Sequence, residues 1–401
     1  MKIKFIIQLL ISFILLFSFK IGVVDTALIL LISLIAINFK QIKLRIDINI
    51  LFLLSILAFL TAYSGVISVL YGSGELIFFL KFLKTGILLF LLAIYFPVFS
   101  KKIDYNLIQK LIVYAVLIHS VIIVLNILSS DFRDFIYAIT GYSPRGPAWS
   151  RSPGITISFN STAIIHLTAL FLLTFRNIIK NRMYSFLTIL LVLISLLFLG
   201  RTMAFVGLIL ITGMLGIKHF KVLLGMIGII FLMVVYVEKT KDTFESPEIK
   251  HILANYEHFI APLTMDEGSG LNYYDKSLKS HIYFSGDIMT LLFGDSYAGH
   301  IGTLGGAGET SSDIGLINSV NANGLLITSL LYFIYIGIIY ISKNKDISLI
   351  SFIVILTIVL TFKETGFFTS NATTLLFILL LYQLKNPDIR KESHVRNIRN
   401  K

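Results

Sequence analysis

An all-α polytopic membrane protein is the fold class this sequence predicts, and three observations carry the prediction. Of its 401 residues, 56% are hydrophobic and 14% charged, and the mean hydropathy is +0.87. Soluble domains run nearer ~45–50% apolar with ~25% charged. Apolar runs of 15 to 24 residues recur along nearly the whole chain, each about long enough to supply the ~20 helical residues that a ~30 Å hydrocarbon core requires. The basic residues fall between these runs in a one-sided, alternating pattern, the mark of cytoplasmic loops. An ordinary soluble enzyme is excluded. Because the apolar segments share one bundle, residues 1–401 are expected to form a single transmembrane domain.

Apolar spans and the breakers between them give twelve crossings. The first two, 4–19 and 21–38, are short and meet near Lys20, with Asp25 placed either to cap the second or to pair with Lys20. One long tilted span is the rival, and it would invert the sidedness of everything after it. The opening MKIKFIIQLLISFILLFSFK has the basic and apolar regions of a signal peptide but no small-x-small cleavage site, so it reads as a retained first helix. Spans at 50–71, 76–98 and 110–129 follow, then an outside segment at 130–159 holding three arginines, Pro153 and the only tryptophan. The sixth span is 160–175. Spans 184–200 and 202–217 form a hairpin that turns at Arg201, and 222–237 is the ninth. The longest hydrophilic stretch, 238–312, separates these from 314–341, 347–362 and 368–384.

With the N-terminus cytoplasmic, 21 of the 34 basic residues lie inside, 11 outside, and two, Lys81 and Lys84, within the fourth span. Both termini are then cytoplasmic and the short loops obey the positive-inside rule. The net charge of +12 is mainly topology, so nucleic acid is not an expected partner. The tail 385–401 reads as a disordered, lipid-facing end. The 238–312 segment is opposite in character, with eleven acidic residues against five lysines, no arginine, and four of the eight histidines. Loops of this length are more often functional than decorative.

Several chemistries drop out. There is no cysteine, hence no disulfide, thiolate nucleophile or Cys-ligated metal. No GxxxxGK[ST], HExxH or Asp-x-Asp pattern occurs, and GDSYAG (Gly294 to Gly299) misses the GxSxG elbow by one position. ATP-driven transport and serine hydrolysis are not supported. No metal or cofactor is expected.

Charge near the membrane remains. Lys81 and Lys84 share one face of the fourth span, where a buried cation costs ~2.5–3.5 kcal/mol on insertion scales and marks a functional candidate; snorkelling to the outer headgroups is the alternative. Arg151 opens the sixth span and Arg201 sits in the hairpin turn, both at outer ends. Guanidinium forks there suit a phosphate, which they grip bidentately without losing their proton. Arg133 and Arg145 are weaker candidates that a solvated loop equally explains. His119 and His166, inside helices, read as hydrogen-bonded packing residues, whereas His219, His251 and His258 read as solvated.

RSPGITISFNSTA leading into a helix, then GRT at a helical hairpin, then the long outside segment, then GETSSDIGLINSVNANGLL entering another helix, together resemble the O-antigen polymerase and O-antigen ligase group. Its Arg-x-x-Gly segment ending in Asn corresponds to Arg151, Gly154 and Asn160, and its Ser/Gly-Arg-Thr turn to Gly200, Arg201 and Thr202. Its Ser-Asp-x-Gly segment with a following Gly corresponds to Ser312, Asp313, Gly315, Leu316 and Gly324. The resemblance covers the order of segments over residues 145–341.

It implies a GT-C-like fold of about twelve helices with a long periplasmic loop between helices 9 and 10, in the bacterial inner membrane. The implied activity is metal-independent, inverting glycosyl transfer from an undecaprenyl-pyrophosphate-linked oligosaccharide, with a chain-length-determining co-polymerase as an implied partner besides the lipid bilayer. As the sugar leaves pyrophosphate, charge grows on the leaving oxygen, and preorganised cations such as Arg151 and Arg201, with Lys81 or Lys84, suit it. The attacking hydroxyl needs a base: Asp313 matches the family position, with Glu309, His300 and His281 as alternatives, and Asp313 can equally cap the tenth span. Ligases carry a histidine at the entry to that span, where this chain has aspartate, which tilts the reading from ligase to polymerase. A transporter or flippase of the same lipid-linked sugar is the rival from another class. Charges avoid the inner halves of the helices, which favours surface chemistry. A non-catalytic scaffold is the third reading.

Overall fold

The computed structural model describes residues 2–21, 24–42, 46–70, 76–141, 152–156, 158–200, 206–207, 288–294, 315–342, 347–361 and 371–385. The described residues are nearly all helical and fall into two compact units: Met1–Thr26 with Asn106–Asn272, and Ala27–Tyr105 with Tyr273–Lys401. Among the described residues, five helices are long and apolar enough to cross a membrane (Ile48–Leu70, Phe79–Lys102, Tyr105–Leu128, Arg182–Leu199 and Ser319–Ile341), and five shorter apolar helices accompany them. At ~1.5 Å rise per residue, the 23-residue Ile48–Leu70 helix exceeds a ~30 Å hydrocarbon core. This is the architecture of a helical membrane protein.

In the first unit, α1 (Lys2–Leu16) ends in a two-stranded hairpin, β1 (Lys20–Ile21) and β2 (Val24–Asp25). Lys20 pairs with Asp25 across the ladder, Thr26 N–H donates to Phe19 O at 2.9 Å, and Phe19 N–H donates to Thr26 Oγ1 at 3.1 Å. The chain therefore turns sharply before α2 (Thr26–Ile37), and the single long span is not what forms. The unit continues with α5 (Tyr105–Leu128), α6 (Ser130–Thr140), α7 (Phe159–Phe175) and α8 (Arg182–Leu199). α7 is buried all round, Asn160 to Leu173 without a break, as expected of a central helix.

α6 lies within the segment read from sequence as a loop. It is amphipathic: Arg133, Ile136, Tyr137 and Thr140 are buried on an i, i+3, i+4, i+7 stripe, while Phe135 and Ile139 face outward. Ser129 caps its first turn by accepting from Phe132 N–H, and Gly141 closes it with φ 63°. The short helix packs against β1, so the turn after α1 and the exit of α5 share one end of this unit.

The second unit holds α2, α3 (Ile48–Leu70), α4 (Ile77–Lys102), α9 (Ile288–Phe293), α10 (Gly315–Ile341), α11 (Ile347–Thr361) and α12 (Asn371–Lys385). α3 and α4 pack as a pair, as do α10 and α11. α4 runs through Pro97 and four residues past the end expected from sequence, because residues after the proline still have N–H groups with which to propagate the helix. Tyr382 donates to Ile103 O at 2.7 Å and meets the Phe96 ring edge-on at 4.9 Å, and Lys385 Nζ donates to Ser100 Oγ at 2.7 Å. Lys102 Nζ reaches Asn38 Oδ1 at 3.5 Å. The C-terminal ends of α2, α4 and α12 thus share one end of the unit. Predicted spans 222–237 and most of 202–217 lie outside the described residues.

Candidate functional site

Ser152, Pro153, Gly154, Ile155 and Thr156 form a non-helical strap buried inside the first unit, immediately before α7. Irregular backbone at such a position is tolerated in a membrane protein only where its polar groups find partners within the protein or line a cavity. Here every N–H of the strap is satisfied. Ser152 N–H donates to Phe198 O at 3.1 Å, Gly154 N–H to Ser152 Oγ at 3.2 Å, Ile155 N–H to His119 Nε2 at 3.4 Å and Thr156 N–H to Pro153 O at 3.3 Å. Proline 153 has no N–H to place.

Side chains complete the cradle. Asn126 Nδ2 donates to Ser152 Oγ at 3.0 Å and to Gly154 O at 3.4 Å. Thr156 Oγ1 donates to Pro153 O at 2.8 Å and lies within hydrogen-bond reach of Thr162 Oγ1, whose own hydroxyl donates to Ser158 O at 2.6 Å. Gly154 takes φ +70°, and a Cβ there would overlap His119 Nε2. The residue must be glycine for both reasons.

His119, His166 and Ser195, all fully buried, link α5, α7 and α8 beneath the strap. His119 Nδ1 stands 3.0 Å from His166 Nε2, and His166 Nδ1 stands 2.9 Å from Ser195 Oγ. Ser195 donates to Val192 O at 2.7 Å and lies 3.1 Å from Ser120 Oγ. Phe17 of the first unit stacks on the His119 ring at 4.0 Å and 3°. The sequence reading of these two histidines as hydrogen-bonded interior residues matches this geometry.

The strap brings together the chain neighbours of two candidate arginines. Ser152 follows Arg151 and is bonded to Phe198, three residues before Arg201. Gly200 caps α8 with its N–H on Leu196 O. Asn160, the third member of the Arg-x-x-Gly segment, is buried in the first turn of α7 with Nδ2 unpartnered. Arg145, Arg151, Arg201, His300, Glu309 and Asp313 lie outside the described residues.

Arg133 is not the solvated charge that one reading allowed: it is 6% exposed on the inner stripe of α6, with Nε 3.7 Å from a carboxylate oxygen of Asp134, itself exposed. Such a half-exposed pair contributes little on its own. Lys81 and Lys84 are half-buried on the first turns of α4, in the second unit, with Thr85 donating to Lys81 O. There α9, from the C-terminal part of the long hydrophilic segment, packs on the first half of α10, and Tyr63 donates to Phe293 O at 2.6 Å. α10 is broken at Gly324 (φ 81°, ψ 160°), behind a first half in which Ser319, Asn321 and Asn323 are buried. The strap partners Asn126 and His119, and Ser195 behind His166, were not singled out from sequence as site residues. Their signal is slight: polar groups on two apolar spans, with His119 and Asn126 two turns apart on one helix face.

Fold and site together define a helical membrane protein with a buried strap, each of whose N–H groups is hydrogen-bonded, at one end of a helix bundle. No family model matches the chain, and no curated protein or solved structure is similar to it.

Proposed function

We propose that this protein is a repeat-unit polymerase of the bacterial inner membrane, transferring an undecaprenyl-pyrophosphate-linked oligosaccharide onto another lipid-linked repeat unit at the periplasmic face. In this reading the chain has about twelve crossings in a GT-C-like arrangement with both termini cytoplasmic and a long periplasmic loop, residues 238–312, between helices 9 and 10. A chain-length-determining co-polymerase is its partner. The observation that supports the reading best is the Ser152 to Phe198 bond, which ties the residue after Arg151 to the third residue before Arg201; in this reading both arginines serve one pyrophosphate site. Cations held there stabilise the departing pyrophosphate, and each such donor is worth ~2.7–4 kcal/mol in the transition state. Asp313 takes the proton of the attacking sugar hydroxyl. The unpartnered Nδ2 of Asn160 is a further donor for the same ligand.

The test is the surface-glycan ladder of a host deleted for this gene and complemented with wild type, Arg201→Ala or Asp313→Ala. Wild type is expected to restore the ladder, and both variants, at normal membrane levels, to leave a single repeat attached to the outer-membrane core. Long polymer accumulating on the lipid carrier with nothing attached would point to the ligase instead. The break in α10 at Gly324 favours a second reading, a flippase for the same lipid-linked sugar, since interrupted helices are how transporters build midplane sites.

A further inference from the structure

The hydrogen-bond directions around the two buried histidines can be assigned from their partners. Ile155 N–H points at His119 Nε2, so that nitrogen is an acceptor and His119 carries its proton on Nδ1. That proton is donated to His166 Nε2, which leaves His166 protonated on Nδ1 and donating to Ser195 Oγ. Ser195 in turn donates to Val192 O, and Ser120 donates to Ser195. The string runs one way, from the strap into the bundle, and is complete with both rings neutral. A proton added to either Nε2 would face a donor instead of an acceptor.

Both rings use the tautomer that an exposed imidazole disfavours, and neither has space to turn. Phe17 stacks on His119 and stands edge-on to His166 at 6.0 Å, while a ring flip would set a ring carbon against each partner. Ordinary packing does not require such a string: a leucine fills the same space without an ordered proton. What the string reaches is the strap, at the one N–H that no backbone carbonyl satisfies apart from Gly154, whose N–H turns back on Ser152.

We propose that His119, His166 and Ser195 are positioning residues: a tautomer-locked clasp that holds the Ser152–Thr156 strap at fixed depth and so sets where the adjoining Arg151 meets the phosphate. This rests on the polymerase reading above for the role of Arg151, and on the geometry alone for the clasp. A misplacement of about 1 Å in a positioning element can cost on the order of 100-fold in rate.

The experiment uses the full-length protein in proteoliposomes, with the host's own undecaprenyl-pyrophosphate-linked repeat unit as substrate. ¹⁵N-histidine solid-state NMR of the wild type, assigned by loss of signals in His119→Phe and His166→Phe, is expected to show both rings protonated on Nδ1 only; protonation of either on Nε2 overturns the clasp whatever the activity. His119→Phe keeps the ring and its stack, and is expected to cut elongation about 100-fold with KM for the lipid-linked unit little changed. His119→Gln, whose Oε1 can accept from Ile155, is expected to fall closer to wild type than to His119→Phe. Adding His119→Phe to Arg151→Ala is expected to cost nothing more, because residues acting as one unit are not additive. Fully additive losses, or an unimpaired His119→Phe, would overturn the positioning role while leaving the polymerase reading intact. An unimpaired Arg151→Ala would instead remove the functional reading and the coupling with it, whatever the NMR result.

Discussion

Gly154→Val is expected to abolish glycan elongation and to lower the melting temperature of the detergent-solubilised protein. Two costs combine. The strap holds this residue at φ +70°, where a side chain is strained by ~1–3 kcal/mol. Its Cβ would also overlap His119 Nε2, with Ile123 Cγ1 a further 3.1 Å contact. His119 has nowhere to retreat, being stacked on Phe17 and bonded to His166, and overpacking a rigid interior adds ~1–3 kcal/mol. The strap is the part that moves, and Ile155 N–H then loses its acceptor, His119 Nε2. Each buried donor left unsatisfied costs ~1–3 kcal/mol, against a total stability of ~5–15 kcal/mol for a typical domain. Gly154→Ala isolates the backbone and first-contact terms and is expected to lie between wild type and valine. A wild-type melting curve and full elongation in both variants would show that the strap does not sit against His119.

Gly324→Ala is the second large effect, and it reads the other unit. Gly324 adopts φ 81° and ψ 160°, a region essentially reserved for glycine and worth ~1–3 kcal/mol of strain to any other residue. A methyl group there would overlap Leu292 O and come within 2.5 Å of Phe293 C, while one on Gly294 would overlap Ala322 O. The two glycines let α9 and the bend of α10 meet backbone to backbone. Alanine at either position is expected to push α9 off α10 and break the Tyr63 to Phe293 hydrogen bond. The melt of Gly324→Ala should fall well below that of Tyr63→Phe, which removes the hydroxyl and its bond to Phe293 O, worth ~0.5–1.5 kcal/mol. Because both alanines disturb one contact, the Gly294→Ala, Gly324→Ala double variant is expected to lose less than the sum of the singles. Equal, additive, small losses would place α9 elsewhere.

These two glycines also show how far the sequence could be read. Helix positions followed from apolar runs, because a bilayer-length stretch of Leu, Ile and Phe has few other ways to satisfy its backbone. Ten of the twelve expected spans coincide with described helices to within a few residues. The hairpin after α1 was legible in the charge pattern, since only a turn at Lys20 keeps the basic loops on one side. α6 was not legible, for its arginine and two aspartates in a short stretch read as a polar loop until Arg133, Ile136, Tyr137 and Thr140 were seen on one stripe. The strap was hidden for a different reason. Ser-Pro-Gly reads locally as a surface turn, and its burial depends on Asn126, His119 and Phe198, which are 26 to 46 residues away and, apart from His119, drew no notice in the sequence. Gly154 and Gly324 were noted only as members of a resembling pattern; their necessity is a matter of backbone angle and of what a Cβ would strike, which one-dimensional spacing does not contain.

The polymerase proposal is tested most directly by reconstituting the purified protein in liposomes with its host's undecaprenyl-pyrophosphate-linked repeat unit, and following both the lipid-linked products and free undecaprenyl pyrophosphate. The expected result is a series of lipid-linked dimers, trimers and longer chains, with one undecaprenyl pyrophosphate released per bond formed and none with Arg201→Ala. Movement of unaltered single repeat units from one leaflet to the other, with no longer product and no released carrier, would contradict it and identify a flippase.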